Sequence, residues 1–245
     1  MISRLRENGL LIPTIMTAVA LPILLWLGNW QLERKAWKEG LIAAIEQRAK
    51  AEPVELLTAY SATYPDEIGF EYLRAKVRGH FHHDKERYFY APDQQLGPGA
   101  HVYTPFEIAG NRSIIFVNRG YVPDALKDPA TRSKGQTEGE VEIVGLMRTP
   151  GVKGRFTPDN DVKRNLWFWR DFSGMFASAF ENTERPYAPV FLDAEGEAPG
   201  GWPKGSATRL ELPNRHLEYA LTWFGLAGAL LAVFIVYALQ RLRAA

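Results

Sequence analysis

The sequence predicts a membrane protein of the α+β class, in which two transmembrane helices flank an antiparallel β-rich extracytoplasmic domain. Two long windows without charged residues, a charged segment between them, and short β-type runs inside that segment predict this class. The chain divides accordingly into five parts, at 1–8, 9–32, 33–218, 219–240 and 241–245. The first and last parts are predicted cytoplasmic tails, the second and fourth are the transmembrane helices, and the third is the domain.

Each charge-free window is long enough to cross a membrane as a helix. Gly9–Leu32 has 24 residues without Asp, Glu, Lys or Arg, and Tyr219–Gln240 has 22, whereas a hydrocarbon core takes about 20 helical residues. Arg4 and Arg6 precede the first window, as in a signal peptide, but the apolar stretch is too long and lacks a small-residue cleavage site. We therefore expect an uncleaved anchor in a bacterial inner membrane.

Two spans place both termini on one side of the membrane and the middle domain on the other. The domain carries 25 basic and 27 acidic residues, and its 186 residues suffice for a hydrophobic core of its own. Charge alone does not orient the chain, because long domains cross the membrane largely regardless of their charge. We expect cytoplasmic termini and a periplasmic domain.

The hydrophobic pattern of the domain changes from helical to alternating along the chain. Apolar residues recur at helical spacing in Gln31–Lys50, so the first span is expected to continue as an amphipathic helix until Pro53 and the polar residues up to Pro65 end it. Strands are predicted at 70–81, 88–90, 102–106, 114–117, 141–146, 166–169 and 189–192. One helix is predicted at Asp171–Glu181. Loops are predicted at 95–99, 124–139 and 194–205.

Composition and motifs exclude several classes of protein. A net charge of +1 argues against nucleic-acid binding, which needs a basic surface. The absence of cysteine excludes disulfides, thiolate catalysis, iron–sulfur clusters and cysteine-ligated metals. The sequence also lacks a Walker A loop, a GxSxG elbow and an HExxH helix. We therefore expect a protein that is not an enzyme.

Histidines in the domain offer a weak metal-binding hypothesis. His80 and His82 would lie on one face of a strand and could share an ion. Lys85 and Arg87 would repel that ion, so an exposed strand end is the favoured interpretation. His101 lies between hydrophobic strand positions, where a structural histidine is favoured over a ligand.

The segment Asn118–Pro123 places Arg119 in a tight turn after a hydrophobic strand. In one interpretation the arginine satisfies nearby carbonyls or carboxylates. In the other, Arg119 and Tyr121 contact an anion or a docking partner. The residues alone do not decide between these two interpretations.

One helical face at the start of the second span combines an imidazole with aromatic and small residues. This face carries His216, Tyr219, Ala220, Trp223 and Ala227. It could hold a flat apolar ring and ligate the metal of that ring.

The end of the first span lies at the same membrane interface if the two helices are antiparallel. It adds Trp26 and Trp30, with Gly28 between them. The alternative to a ligand site is an aromatic belt that anchors both helices, and the residue pattern by itself favours the belt.

Four separated motifs resemble the Surfeit-locus protein one family, whose members assist the assembly of haem–copper cytochrome c oxidase. The first, Gly28–Lys38, resembles the family's G-x-W-Q-x-x-R motif at the end of the first span. Val102–Phe106 resembles V-x-T-P-F, and Val117–Pro123 resembles V-N-R-G-W-V-P with Tyr121 in place of Trp. Asn214–Phe224 resembles N-x-H-x-x-Y-A-x-T-W-F at the second span.

The resemblance implies a factor that binds haem A transiently and assists its insertion into the catalytic subunit of the oxidase. The family histidine falls on His216, the expected ligand of the haem iron, with Tyr219, Trp223, Trp30 and Trp26 as further cofactor-binding residues. The catalytic subunit is the expected partner, haem A synthase is a second candidate partner, and the lipid bilayer holds the spans.

Two points stay open within the resemblance. Arg34, Arg215 and Arg119 are candidate contacts for the haem propionates, on geometry alone. The alternative function is a scaffold without haem, whose outer domain stabilises an oxidase assembly intermediate through Arg119 and Tyr121.

Overall fold

The computed structural model shows two compact units. It describes residues 9–63, 67–180, 184–205 and 214–243. One unit comprises Met1–Ala44 and Leu210–Ala245, and the other comprises Ile45–Arg209. The first is a pair of helices and the second is a β-rich domain.

Four helices and eight strands lie within the described residues. The helices are α1 (Leu11–Lys50), α2 (Leu56–Thr63), α3 (Phe172–Ala179) and α4 (His216–Arg243). The strands are β1 (Val54–Glu55), β2 (Arg74–Phe81), β3 (Arg87–Tyr90), β4 (Gly99–Ile108), β5 (Ile114–Pro123), β6 (Val141–Arg148), β7 (Leu166–Trp167) and β8 (Tyr187–Ala194). Short 3-10 helices lie at Glu67–Phe70, His83–Lys85, Asp124–Leu126, Pro129–Gly135 and Pro199–Gly201.

Both α1 and α4 are long and apolar enough to cross a membrane. They pack against each other through small residues, since Gly28, Ala220 and Ala227 are buried. A Cβ atom on Gly28 would lie 2.6 Å from Cε1 of Phe224, so the phenyl ring of Phe224 lies directly on the backbone of α1. Small residues are the usual means by which membrane helices approach closely.

Five strands of the domain form a closed ring of pairings. The strand order is β1-β2-β6-β8-β5-β4-β3-β7, and β4 also pairs with β2. Strand β4 can pair with both β2 and β3 because different parts of it are used. Phe106–Ile108 pairs with β2, and Ala100–Tyr103 pairs with β3. Closure of the ring leaves none of its five strands with a free edge along its whole length.

Both faces of the sheet are buried, each by its own hydrophobic cluster. In β5, Ile115 and Val117 join one hydrophobic cluster, which includes Phe106 and Met147. The intervening Phe116 joins a second cluster around α3 and Trp167. Adjacent residues point to opposite faces of a strand, so this near-continuous apolar run is explained by burial on two sides.

The predicted helix at Asp171–Glu181 is confirmed as α3. The carboxylate of Asp171 accepts a hydrogen bond from the amide of Gly174 at 3.0 Å and caps the helix. Phe172, Met175 and Phe176 form its buried face. Glu181 lies outside the described residues.

The helix predicted over Gln31–Lys50 is also confirmed, because α1 continues without interruption to Lys50. The polar run after Pro53 contains β1 and α2, which the sequence pattern did not predict, and Pro65 lies outside the described residues.

The β-rich character of the domain is confirmed, and most pairings are antiparallel as expected. Three pairings are parallel, namely β1 with β2, β3 with β7, and β5 with β8. A parallel pair needs a long crossover connection, and the segment between β5 and β8 supplies one that contains α3. Local alternation in the sequence is the same for both directions, so it does not distinguish them.

Candidate functional site

The helix pair holds His216 by a hydrogen bond from one helix to the other. Nδ1 of His216, the first residue of α4, lies 2.7 Å from Oε1 of Gln31 in α1. An amide oxygen only accepts, so Nδ1 carries the hydrogen and donates it. In the neutral imidazole this leaves Nε2 with a free lone pair, the form in which histidine binds metals.

Three of the predicted cofactor-binding residues form one stripe of α4. At 3.6 residues per turn, His216 and Trp223 lie within about 20° of each other, with Tyr219 beside them. The neighbouring stripe of Ala220 and Ala227 is the buried one. Tyr219 is 55% exposed, so the aromatic stripe borders the helix contact and stays accessible from outside the pair.

The structure does not bring Trp26 and Trp30 to this stripe. Each lies about 160° around α1 from the buried Gly28, which contacts α4. Their exposed fractions of 65% and 42% agree with this outward position. The sequence interpretation placed them near His216 because they share its depth along the pair, but helical geometry turns them away.

The candidate propionate contacts are occupied by other groups. Arg215 forms a salt bridge with Glu218 at 2.9 Å, and both side chains are exposed. The guanidinium of Arg34 stacks over the ring of Trp37 at 4.4 Å. Arg215 lies next to His216 in sequence, so it is the nearer of these two cations along the chain.

The sequence predicts a tight turn around Arg119, but β5 continues through this segment because it stays paired with β4. Within the strand, Arg119 is part of a buried ion cluster in the domain. Its Nη1 lies 3.3 Å from Oε1 of Glu86, and its Nη2 donates to the carbonyl of Gly135. Arg132 donates to both carboxylate oxygens of Glu86, one of them at 3.1 Å. Burial lowers the pKa of Arg119 to about 10, against the opposing effect of Glu86. These contacts support the first interpretation, in which Arg119 satisfies nearby carbonyls and carboxylates.

His83 completes this cluster as a neutral imidazole. Its Nε2 donates to the carbonyl of Thr137 at 2.8 Å, and its Nδ1 accepts from Nη1 of Arg119 at 3.2 Å. Burial lowers the pKa of His83, and the positive charge of Arg119 acts in the same direction.

Tyr121, the second predicted docking residue, is also buried. Its hydroxyl donates to the carbonyl of Gly97 at 2.9 Å. A docking role for Arg119 and Tyr121 stays a prediction, and it would require a partner to act through the surface above them rather than through direct contact with the guanidinium.

The other histidines of the domain are engaged within it or exposed. Nε2 of His82 lies 3.3 Å from the carboxylate of Glu107, while His80 is exposed. Nδ1 of His101 lies 3.3 Å from Oδ1 of Asn118, and burial lowers its pKa. Within the described ranges, no group of three or more His, Asp or Glu side chains could hold a metal ion.

A cavity that the sequence did not predict lies in the domain beside His101. Its volume is about 540 Å³, within the usual range for small-molecule sites. Its walls come from β3, β4, β5, β6 and β8 and from the loops around Asp93, Arg170 and Lys204. These segments are far apart in the sequence, so no local motif could have indicated it.

A β-rich domain carried between two apolar helices, with an accessible histidine at the start of the second helix, defines a class of two-pass membrane protein. The chain belongs to the SURF1 family, whose model matches residues 18–228.

Curated relatives cover most of this chain. It is 40% identical over 221 residues to Surfeit locus protein 1 of Mus musculus, an alignment that spans 83% of this chain and 68% of the relative. It is 40% identical over 222 residues to Surfeit locus protein 1 of Homo sapiens, with 83% and 70% covered. It is 36% identical over 225 residues to a SURF1-like protein of Drosophila melanogaster, again with 83% and 70% covered.

Proposed function

We propose that this protein is a non-catalytic assembly factor for haem–copper cytochrome c oxidase, which holds haem A through His216 and releases it to the catalytic subunit. Membership of the SURF1 family supports the assembly role, through the resemblance described above. The observation that carries the haem-binding part is the hydrogen bond between Gln31 and Nδ1 of His216.

This hydrogen bond prepares the imidazole for ligation. A ligand histidine usually donates its second ring N–H to a carbonyl or carboxylate, which fixes the tautomer and the ring orientation. Gln31 provides such a carbonyl oxygen from the other helix. Haem A, when bound, supplies an iron atom that accepts the lone pair of a neutral imidazole.

The surroundings of His216 suit a flat apolar cargo on the outside of the helix pair. Phe224 packs on Gly28 and fills the contact between the helices, so a macrocycle does not fit between them there. Tyr219 and Trp223 continue the stripe of His216 along the outer side and offer aromatic surface to a ring. Their position next to lipid also suits an isoprenoid tail.

Weak retention is part of the proposed role. His216 would hold the haem iron as a single protein ligand, so the haem could pass to the acceptor. Within the described residues of the helix pair, His216 is the one histidine. We place the site at the periplasmic face of a bacterial inner membrane, with haem A synthase as a possible donor of the haem.

The test is the visible spectrum of the full-length protein, purified in detergent from cells that make haem A. The wild type is expected to show a haem A Soret band, and His216→Ala is expected to lose it. His80→Ala is the matched control, because it removes an exposed histidine of the domain. Circular dichroism verifies that each variant is folded.

Two outcomes overturn the haem-binding proposal. One is the absence of haem from folded wild type, and the other is equal haem content in wild type and His216→Ala. Either result would favour the scaffold without haem, in which oxidase assembly depends on the domain.

A further inference from the structure

The cavity beside His101 combines cationic and apolar walls. Its lining includes the cations Arg170 and Lys204 and the apolar side chains of Phe89 and Leu96. It lies wholly within the β-rich domain. A concave site that places charged groups beside apolar side chains suits a small molecule with a charged and an apolar part.

Two of its cations have no carboxylate partner in the described part of the chain. Arg170 donates through Nε to the carbonyl of Thr149 at 3.1 Å and also bonds to the hydroxyl of Tyr103. Lys204 places its ammonium 5.3 Å from the ring of Trp202. Neither cation is neutralised by these contacts, because a carbonyl, a hydroxyl and an aromatic ring carry no net charge.

The remaining charges of the lining are held by the domain itself. Arg148 pairs with Asp193 at 3.0 Å and with Glu71 at 2.8 Å. Asp93 accepts hydrogen bonds from the backbone amides of Gln95 and Leu96 within its turn. Arg148 is thus neutralised by its own carboxylate partners, and Arg170 and Lys204 are the lining cations that have none among the described residues.

A neutral histidine adds polarity to this wall without adding charge. Nδ2 of Asn118 donates to Asp193, so its Oδ1 faces His101 and accepts from Nδ1. The imidazole is therefore fixed in one tautomer by a chain of hydrogen bonds that ends at a carboxylate. The positive charge that the cavity can offer to a ligand thus comes from Arg170 and Lys204.

Strand β5 holds the backbone of Lys204 beside the cavity. Tyr121 and Lys204 exchange two backbone hydrogen bonds, of 2.8 and 2.9 Å. This approach requires Gly120, because a Cβ atom there would lie 1.7 Å from the carbonyl oxygen of Lys204. The backbone of Gly120 also has a φ of +113°, which favours glycine. The backbone of Lys204 is therefore held against β5.

We propose that this cavity is a binding site for a small organic anion, with a carboxylate or phosphate group bound by Arg170 and Lys204 and an apolar body against Phe89 and Leu96. Guanidinium groups bind both kinds of oxyanion through paired hydrogen bonds. This site is separate from the proposed haem ligand and does not depend on it.

The experiment is isothermal titration calorimetry on the full-length protein in a non-ionic detergent without added lipid. The probes are phenyl phosphate, benzoate and inorganic phosphate, with benzyl alcohol as the uncharged analogue. We expect saturable binding of phenyl phosphate or benzoate, weaker binding of inorganic phosphate, and none of benzyl alcohol. Preference between phenyl phosphate and benzoate tells whether the natural ligand is a phosphate ester or a carboxylate.

Variants locate the site. Arg170→Gln is expected to weaken binding about tenfold, as for the loss of a charged hydrogen bond, and Lys204→Gln is expected to weaken it less, because its side chain is exposed. Lys163→Gln removes an exposed cation outside the cavity and should leave binding unchanged. Arg170→Lys should restore part of the affinity if charge is the cause, and circular dichroism checks the fold of each variant.

Three results would overturn the proposal. They are the absence of saturable binding of all three anions, equal affinity in the wild type and Arg170→Gln, and binding of benzyl alcohol as tight as that of benzoate.

Discussion

The β-rich domain and the helix pair differ in how completely their polar side chains are bonded. In the domain, Arg119, Arg132 and Glu86 form a cluster in which every charge faces an opposite charge or a carbonyl. In the helix pair, the one described hydrogen bond of His216 is to Gln31, and Nε2 makes none with the described residues. The charged groups of the domain thus bind one another, whereas the helix pair leaves Nε2 of His216 available to a ligand.

This contrast shows what a charged motif in a sequence can mean. Burying a guanidinium is costly unless a carboxylate and carbonyls surround it, so a motif such as Asn118–Pro123 can be required for folding alone. An imidazole at the end of a membrane helix needs no such network. The partly satisfied side chain is therefore the better candidate for a ligand contact.

The largest expected effect is the loss of the carboxylate at the centre of the ion cluster. Glu86→Ala leaves Arg119 and Arg132 buried without a counter-charge, which is expected to cost about 3–5 kcal/mol in the free energy of unfolding. Urea unfolding of the full-length protein in detergent, followed by circular dichroism, measures this. Glu142→Ala is the control, because it breaks an exposed salt bridge with Arg78 and should change stability little. Similar losses in the two variants would contradict the structural role of the cluster.

The next effect concerns the hydrogen bond that crosses the helix pair. Gln31→Leu removes the acceptor of Nδ1 of His216, and loss of such a partner typically weakens metal binding about 10–100-fold. Titration of haem A into the purified variant, followed at the Soret band, measures the change. Asn29→Leu removes a second amide from the same helix, one that bonds only to Glu33 in the described residues, and should retain wild-type affinity. Equal loss in both variants would mean that Gln31 has no specific role.

Much of the fold could be predicted because its signals are local. The long α1 and the cap of α3 follow from helical periodicity and from Asp171 before an apolar face. The parallel pairing of β5 with β8 could not be predicted, since it depends on which distant strands meet. The short β1 and α2 were hidden in a run whose composition resembles a loop.

The candidate site was predictable only in part, for a related reason. His216 was singled out through its motif, but its contact with Gln31 joins residues 185 positions apart. Trp26 and Trp30 were assigned from their depth in the membrane, which says nothing about the side of the helix that they occupy. The cavity around Arg170 was missed, because its walls converge only in the folded domain.

A smaller effect is expected from the close contact between the helices. Gly28→Leu places a side chain where Phe224 lies, and such overpacking typically costs about 1–3 kcal/mol. Pulsed electron paramagnetic resonance, with labels on cysteines introduced at Val19 and Val233, should show a longer distance between the helices. The chain has no cysteine of its own, so the labelling is specific.

Two further variants test whether contact with Phe224 causes the longer distance in Gly28→Leu. Adding Phe224→Ala to Gly28→Leu should return the distance toward the wild-type value, because it removes the clashing ring. Gly225→Leu changes a glycine with no described neighbour within 4 Å of the added Cβ and should have no effect. An unchanged distance in Gly28→Leu would show that Phe224 moves aside without cost.

The smallest effect is the dependence of the domain's stability on pH. Burial lowers the pKa of both His83 and His101, so the unfolded chain binds more protons than the folded one below the ordinary histidine pKa. Stability is therefore complete above about pH 7 and falls as the pH drops through about 6.5, by at most about 1.4 kcal/mol per pH unit for each histidine. Around His83, the charges of Arg119 and Arg132 oppose protonation and that of Glu86 favours it.

Urea unfolding between pH 5 and 8 measures how the free energy of unfolding depends on pH. The slope should be shallower in His83→Asn than in the wild type, whereas His80→Asn, which changes an exposed side chain, should keep the wild-type slope. A slope that His83→Asn leaves unchanged would mean that the neutral imidazole in the ion cluster does not set the acid sensitivity of the domain.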